Sequence, residues 1–466
     1  MAMIGLEIHC QLTSLNSKLF CPCRADYRGL EPNTNICPVC TGLPGALPLP
    51  NKRAIEKAAT VALALGCRVP PRLAFFRKNY FYPDLPKNFQ ITQLDAYGET
   101  CAGSGGSIDS GGRTIRIRRV QLEEDPGRII YEGAPGKAQH TLVDYNRAGV
   151  PLVEIVTEPD FEGPAQVRLF LNELSGLLGG LGVADPSLEG ALRADGNVSV
   201  HGGAKVEVKN VNSFHDLEKA LHYEITRQQS LVDRGIEVVQ ETRQWDDRRR
   251  ITVSARKKEE ETDYRYFVEG DIPWITIDDD TLASLRAGIP EGAASRKDRY
   301  ASLGIPAQVA EVLSSDPFFS RMFEEAHSAA NAKEVANLIT TDLMGLLDTR
   351  EKRGSSKLEA AHLGQLADAV LDGSMTRSSA KVALHEMISG KSLSEVSGGR
   401  DTGSISDGDE LGRIIDGVIS AEPGAVQDAK ANPQAINYLL GMVMKETQGR
   451  ADPAAALEIL QKKISS

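Results

Sequence analysis

The sequence predicts an α+β body followed by helices, and three observations lead there. Several stretches before residue 290 alternate apolar and polar residues with period two, among them Ile4–Leu12 and Thr114–Leu122, which argues strands. Few stretches there carry a helical stripe, so a mixed sheet with few helices fits residues 1 to about 290. From about Arg296 onward aromatics thin out and helical stripes dominate.

The bulk numbers bound the rest. A chain of 466 residues predicts two to four domains, and 41% hydrophobic with 25% charged residues is an ordinary soluble composition. Lys plus Arg total 53 against 64 Asp plus Glu, a net charge of −11. That argues against binding nucleic acid by bulk charge, while leaving room for a local cationic track on an acidic body. The N-terminus has no basic segment followed by a long apolar one, and no apolar run approaches a membrane span. Seven cysteines, an odd count, suit a reducing compartment, so a cytoplasmic protein is expected.

In chain order, Ile4–Leu12 places Glu7, His9 and Gln11 on one strand face and Leu6, Ile8 and Cys10 on the other. A carboxylate and an imidazole two apart can hold one cation; a solvated face is the plain alternative. Cys21 and Cys23, then Cys37 and Cys40, form a CxC and a CxxC beside Gly and Pro turns, a spacing that suits tetrahedral zinc. Four thiolates leave no open position, so such a zinc is structural. Asn51 is an N-cap and Gly66 a stop for a helix with the stripe Ile55, Ala58, Ala59, Ala62 and Leu65.

Arg77-Lys78-Asn79-Tyr80-Phe81-Tyr82-Pro83-Asp84-Leu85-Pro86-Lys87 concentrates aromatics and cations in a chain that is only 5% aromatic. Its prolines exclude a long helix or a central strand. A rigid loop for phosphate, nucleotide or RNA fits, and so does an ordered turn whose tyrosines plug a core edge. Ala102–Gly112 reads as a hairpin or loop, and neither it nor Gly136-Lys137 completes a nucleotide-binding glycine motif. Glu123-Glu124-Asp125 ends a strand, as a solvated turn or a hard-cation site if partners converge. Asp144 to Val156 runs from a polar turn into an apolar strand. Pro164 opens a helix with the stripe Val167, Phe170, Leu171, Leu174 and Leu178. Leu192–Val200 and Lys205–Asn212 can pair as a hairpin, and Ser213 with Asp216 caps a helix that stops near Gly235.

Beyond Arg296, Val335, Leu338, Ile339 and Leu346 form one stripe, and Leu358, Ala361, Leu366, Ala369 and Val370 another. Ser397–Asp409 is Gly/Ser/Asp-rich and reads as a linker. Two last helices are expected at Ile436–Lys445 and from Pro453, with Asp452 as cap. There is no internal repeat.

Six motifs in order carry a resemblance: Gly5-Leu-Glu-Ile-His9, Cys37-Pro-Val-Cys-Thr-Gly-Leu-Pro-Gly45, Arg77 to Lys87, Leu122-Glu-Glu-Asp125, Leu192-Arg-Ala-Asp195 and Asp263-Tyr-Arg-Tyr-Phe267. Together they resemble the B subunit of the tRNA-dependent amidotransferase, over essentially the whole chain. The resemblance implies a cradle-shaped, mixed-sheet domain with a zinc knuckle at 1–292, an all-α helical domain at 293–405 and a small helical tail domain at 406–466 that helps hold tRNA. It implies ATP-dependent phosphorylation of the side-chain carboxyl of Asp or Glu misacylated on tRNA. Ammonia from a glutaminase A subunit then displaces the phosphate, and a small C subunit wraps the A and B pair.

On that reading Glu7, His9, Glu124 and Asp195 hold Mg²⁺ or Mn²⁺, since imidazole on a hard cation is uncommon and lets Mn²⁺ compete. Arg77, Lys78, Tyr82 and Lys87 bind ATP, with Glu124, Lys87 and Lys78 catalytic. Cys21, Cys23, Cys37 and Cys40 hold Zn²⁺. Phosphoryl transfer needs positioning and charge rather than a protein nucleophile. The chain lacks a glutaminase set, Ser355-Ser356-Lys357 being merely adjacent, which fits ammonia from a partner. Gln121 stands where the family commonly has histidine, Ala194 and Gly196 flank Asp195 where Cys and Ala are frequent, and Phe267 to Pro273 varies a more proline-rich run. The paralogous E subunit carries a large inserted domain for which there is no room after Asp263–Ile275. A non-catalytic, zinc-containing tRNA-binding scaffold is the alternative. The tail has more acids than bases, so it is expected to dock RNA by shape.

Overall fold

The computed structural model describes residues 2–95, 99–131, 140–257, 264–397, 408–431, 435–447, 451 and 453–465. It forms two compact units, Met1–Pro290 and Glu291–Ser466. Gly136-Lys137, Asp263, Asp452 and most of the expected linker, 398–407, lie outside the described residues.

The first unit begins with β1 (Ala2–Gln11), α1 (Lys52–Ala64), β2 (Arg72–Leu73), β3 (Phe76–Asn79) and β4 (Phe89–Thr92). The hairpin β5 (Gly103–Ser110) and β6 (Arg113–Glu124) follows, then β7 (Arg128–Tyr131), β8 (Thr141–Asp144) and β9 (Pro151–Thr157). After α2 (Pro164–Gly180) come β10 (Leu192–Val200), β11 (Val206–Lys209), α3 (Phe214–Asp233), β12 (Glu241–Asp246) and β13 (Ile251–Lys257). Short β14 (Phe267–Val268), β15 (Ile275–Thr276) and α4 (Asp279–Ala287) complete it.

Eight strands form one sheet in the order β13-β12-β11-β10-β1-β9-β6-β5. β11 and β12 run parallel and the other neighbours antiparallel, so the sheet is mixed. One face buries Leu6, Ile8, Val120, Leu122, Val153, Ile155 and Val198 in a core shared with α1, α2 and α3. Burying each such side chain contributes about 1.5–3 kcal/mol. The other face is polar.

The helices start and stop where the chain supplies the caps. Asn51 accepts from the amides of Arg53 and Ala54, Pro164 sits in the first turn of α2, and Ser213 accepts from Asp216 N. The glycine-rich stretch is a strand for a packing reason. A Cβ on Gly103 would lie 2.5 Å from Ala62 Cβ, and one on Gly106 would lie 2.4 Å from Leu65 O, so glycine lets α1 sit against the hairpin. Its turn is Gly111-Gly112, both at positive φ.

β6 changes phase partway. Ile117 pairs with Thr157 but Arg119 pairs with Val156, so Arg118 is an extra residue, a β-bulge. Ile115 and Ile117 face the core before it, Val120 and Leu122 after it.

The second unit is helical. One core gathers Tyr300, Phe319, Phe323, Leu338, Leu363, Leu384 and their neighbours. The stripe from Val335 to Leu346 is not one α-helix: Leu338–Leu343 is a π-turn between two short helices, which buries Leu338, Ile339 and Leu343 together. Leu358 precedes its helix, which spans Ala360–Leu371. A separate core joins Leu411, Ile415, Leu439, Val443 and Leu460 on four helices from Gly408 to Ser465, two more than the sequence suggests. Among the described residues no helix is long and apolar enough to cross a membrane.

Candidate active site

β1 is the axis of the polar face. Its register sets Glu7 opposite Asp195 of β10, and His9 opposite Glu154 of β9 on one side and Arg193 of β10 on the other. Period two turns Glu7 and His9 to the same side as Asp195, Glu154 and, one strand further, Glu123. Two ligand-capable sets result: Glu7, His9 and Asp195, and His9, Glu123 and Glu154. Within each set the donor atoms all lie within 4.8 Å of one another.

His9 Nε2 stands 3.6 Å from Glu7 Oε1, 3.6 Å from Glu154 Oε2 and 3.9 Å from Glu123 Oε1. Burial lowers the imidazole pKa, but the hydrogen bond to Glu154 and the charges of Glu7, Glu154 and Glu123 outweigh it and raise it to about 9. Burial works to raise Glu154, yet His9, Arg119 and Lys78 hold it down at about 2. Burial and the neighbouring Glu154 push Glu123 up to about 7, against the pull of His9 and Lys78. Burial also raises Asp195 above the usual carboxylate range, although Lys209 Nζ lies 3.2 Å away. The protonated imidazole thus balances acids packed closer than they tolerate alone. A divalent cation on these oxygens and the imidazole would take over that balancing and release the proton. Four carboxylates and one imidazole, two carboxylates in each set, fit Mg²⁺ or Mn²⁺ better than a soft metal.

Cations border the cluster. Lys78 Nζ lies 4.8 Å from the ring centre of Tyr264 and 5.7 Å from that of Tyr80. Burial opposes its charge, but Tyr266, Glu123, Tyr80 and Glu154 outweigh this and hold it as ammonium. Arg193 Nη2 donates to Asp125 Oδ1 at 3.0 Å, and Arg119 Nη2 approaches Glu154 at 3.9 Å. The Nε atoms of both arginines are buried without a hydrogen-bond partner among the described residues. Orphaned guanidinium donors on the face of an acidic cluster are what an incoming phosphate would satisfy.

The structure does not bring Glu124 to Glu7, His9 and Asp195. Consecutive strand residues point to opposite sides, so the three acids divide. Glu123 joins His9. Asp125 accepts from Gln11 at 2.6 Å and from Arg193. Glu124 accepts from Ile91 N at 2.8 Å and pairs with Lys87 Nζ at 2.5 Å. That pair lines a separate cavity of about 170 Å³ with Cys40, Leu43, Arg77, Phe89 and Glu269. Arg77 reaches Glu269 with two hydrogen bonds, 2.6 and 2.7 Å, and Asp271 at 3.2 Å, so its charge is already matched. Tyr82 and Phe81 are exposed, on the outside of the turn. Lys78 is therefore the cation of this stretch that faces the acidic cluster.

Glu154, Arg119 and Lys209 escaped the sequence reading. Glu154 carried a signal: a lone acid within the apolar strand Pro151–Thr157, where a buried charge needs partners. The doubled Arg118-Arg119 marked the bulge.

Cys21, Cys23, Cys37 and Cys40 bring their sulfurs within 4.8 Å of one another, and none is in a disulfide. Cys37 N donates to Cys40 Sγ at 3.1 Å, as in a metal knuckle. The Cys21 thiol and the Lys18 ammonium, 3.6 Å away, outweigh burial and hold Cys40 as a thiolate, down at about 4. Such a cluster can hold a metal ion.

Residues 2–283 match the GatB/GatE catalytic domain family, and residues 321–464 match the GatB domain family. A protein of Sulfurisphaera tokodaii is 45% identical over 99% of both chains. One of Thermus thermophilus is 43% identical over 98% of both, and one of Methanococcoides burtonii 39% identical over 100% of this chain and 98% of its own. Each is named as the B subunit of aspartyl/glutamyl-tRNA(Asn/Gln) amidotransferase. With the catalytic-domain match on the unit that carries the acid–imidazole cluster, and relatives aligned from end to end, the chain belongs to the family of amidotransferase B subunits.

Proposed function

We propose that this protein activates the side-chain carboxyl of Asp or Glu esterified to tRNA and hands it to ammonia, giving Asn-tRNA(Asn), Gln-tRNA(Gln) or both. The observation that carries the reading is the cluster of Glu7, His9, Asp195, Glu123 and Glu154 bordered by Lys78, Arg119 and Arg193. Acids gather a cation there, and underused cations beside them receive phosphate.

A bound Mg²⁺ or Mn²⁺ neutralises phosphate charge during transfer. Glu7, His9 and Asp195 would hold it, with Glu123 and Glu154 on the other side of the imidazole. Lys78 and the two orphaned Nε–H groups orient the terminal phosphoryl group of ATP. A substrate carboxylate oxygen attacks its phosphorus, the bond to the bridging oxygen breaks, and ADP leaves. Ammonia then adds to the acyl-phosphate carbonyl, gives up a proton, and inorganic phosphate departs with the carbon–oxygen bond. Lys87 and Glu124 close the neighbouring cavity, and we assign that side to the arrival of ammonia. An amidase A subunit supplies the ammonia and a small C subunit joins the pair. The tail, from residue 406, docks tRNA. Zinc on the four cysteines is structural, and the assembly works in the cytoplasm with tRNA synthesis.

The test is to combine the reconstituted complex with Asp-tRNA(Asn) or Glu-tRNA(Gln), ATP and an ammonia donor, and to identify the amino acid left on the tRNA. Asn or Gln formed only with ATP supports the reading. Amide formed equally without ATP, or not at all, overturns it.

A further inference from the structure

The turn joining β12 to β13 carries Arg248, Arg249 and Arg250 in succession, all exposed, on a protein whose net charge is −11. Among the described residues none of their guanidinium groups takes a carboxylate. Arg243 on β12 and Arg227 on α3 behave differently. Arg243 Nη1 meets Glu241 at 2.5 Å and its Nε meets Glu224 at 3.4 Å, while Arg227 meets Glu224 at 2.7 Å. The tip is therefore left positive, with Asp247 the one acid exposed within it.

The turn is also held in shape. Asp246 Oδ1 accepts from Arg249 N at 3.0 Å, and Arg250 takes φ 53°. Trp245 packs with Val208 and Ala220. Arg243 ties the two strands through Thr252 Oγ1 at 2.9 Å and Thr252 O at 2.8 Å. A ligand that engages the tip meets a rigid hairpin and loses little entropy in ordering it.

Register places the tip. Lys209 pairs with Gln244, and Val208 with Gly196, so the end of β12 lies level with the start of β10, where Arg193 and Asp195 stand. At about 5 Å per strand step, the tip lies on the order of 15 Å outboard of Asp195 at the same end of the sheet. An aminoacyl group at the acidic cluster is the end of a single strand, and a duplex that leaves the cluster over this end of the sheet meets the tip.

We propose that Arg248, Arg249 and Arg250 form a clamp for the phosphate backbone of the duplex adjoining the 3′ end of the bound RNA. The proposal rests on the reading that the substrate is an aminoacyl-tRNA. It adds a contact that positions the RNA without reading its sequence, as guanidinium–phosphate contacts on an A-form duplex do.

The experiment compares the reconstituted complex with its R248A/R249A/R250A and R248K/R249K/R250K forms. Three quantities are measured: tRNA affinity against salt, amidation kinetics, and retention of partner subunits on size exclusion. The alanine form should bind tRNA about tenfold more weakly near physiological salt, with a salt slope shallower by about 2, as expected for losing two or three phosphate contacts. Its KM for tRNA should rise by a similar factor with kcat unchanged, and the lysine form should recover most of the loss. Equal affinity and slope in parent and alanine forms overturns the clamp. So does loss of a partner subunit with unchanged tRNA affinity, which would make the tip a protein-docking surface. A parent complex that binds tRNA but amidates nothing would overturn the activity alone, and the binding comparison would still decide the clamp.

Discussion

His9 and the acids around it define what a single substitution can test. Glu123→Gln and Glu154→Gln remove oxygens from the set around the imidazole, whereas Glu124→Gln breaks a pair with Lys87 in another cavity. The first two should raise the Mn²⁺ concentration needed for half-maximal ATP turnover by at least about tenfold. Glu124→Gln should leave that requirement unchanged while lowering glutamine-dependent amidation. A metal requirement shifted only by Glu124→Gln would place the cation beside Lys87 instead. Glu269 makes a separate prediction in acid. Burial works to raise its pKa, but Arg77 outweighs burial and holds it below the usual carboxylate range. Its contribution is complete above the unfolded pKa of about 4.3 and is lost as pH falls through the lower folded value. Glu269→Gln should cost about 2–3 kcal/mol at neutral pH, and denaturant midpoints of variant and parent should converge as pH falls below about 4. Curves that stay parallel would mean the pair contributes nothing pH-dependent.

At the scale of elements, the sequence was legible wherever a local signal decides the structure. Asn51, Pro164 and Ser213 mark helix starts because a helix N-terminus must satisfy its amides locally. Glu7 and His9 are legible as a strand pair for the same local reason. What brings Glu154 and Glu123 to them is ladder register across β1, β9 and β6, which no window of sequence contains. The triplet Glu123-Glu124-Asp125 is a cluster in the sequence, but which acid faces which partner depends on that register. The π-turn at Leu338–Leu343 was hidden because its apolar spacing is close to that of an α-helix. Packing of α1 on the hairpin gives a direct check. Gly103→Val would drive a side chain into Ala62 and Cys67 and should cost about 1–3 kcal/mol or more in chemical denaturation. A neutral result would show that α1 can withdraw from the hairpin.

For the whole molecule, the cysteine knuckle and the Lys87–Glu124 cavity share a wall through Cys40 and Leu43. Cys37→Ala should strip metal from the purified protein and lower the stability of the first unit by several kcal/mol, because metal binding to a preformed site adds to folding free energy. Metal analysis beside thermal unfolding checks both, and a metal-free parent of unchanged stability would remove zinc from the account. The second unit, with its separate cores, should unfold at the parental temperature in that variant.

The extra arginine in β6 has a consequence of parity. If the strand ran through Arg118 as a regular ladder, with no bulge, it could keep its first half in phase with the sheet or its second half, but not both. Keeping the first half in place would turn Leu122 and Glu124 toward His9 and send Glu123 inward. Keeping the second half would expose Ile115 and Ile117. One residue with no contact to the acidic cluster thus acts as a half-turn in the wiring, letting a core-packed hairpin and a correctly handed row of acids occupy a single strand.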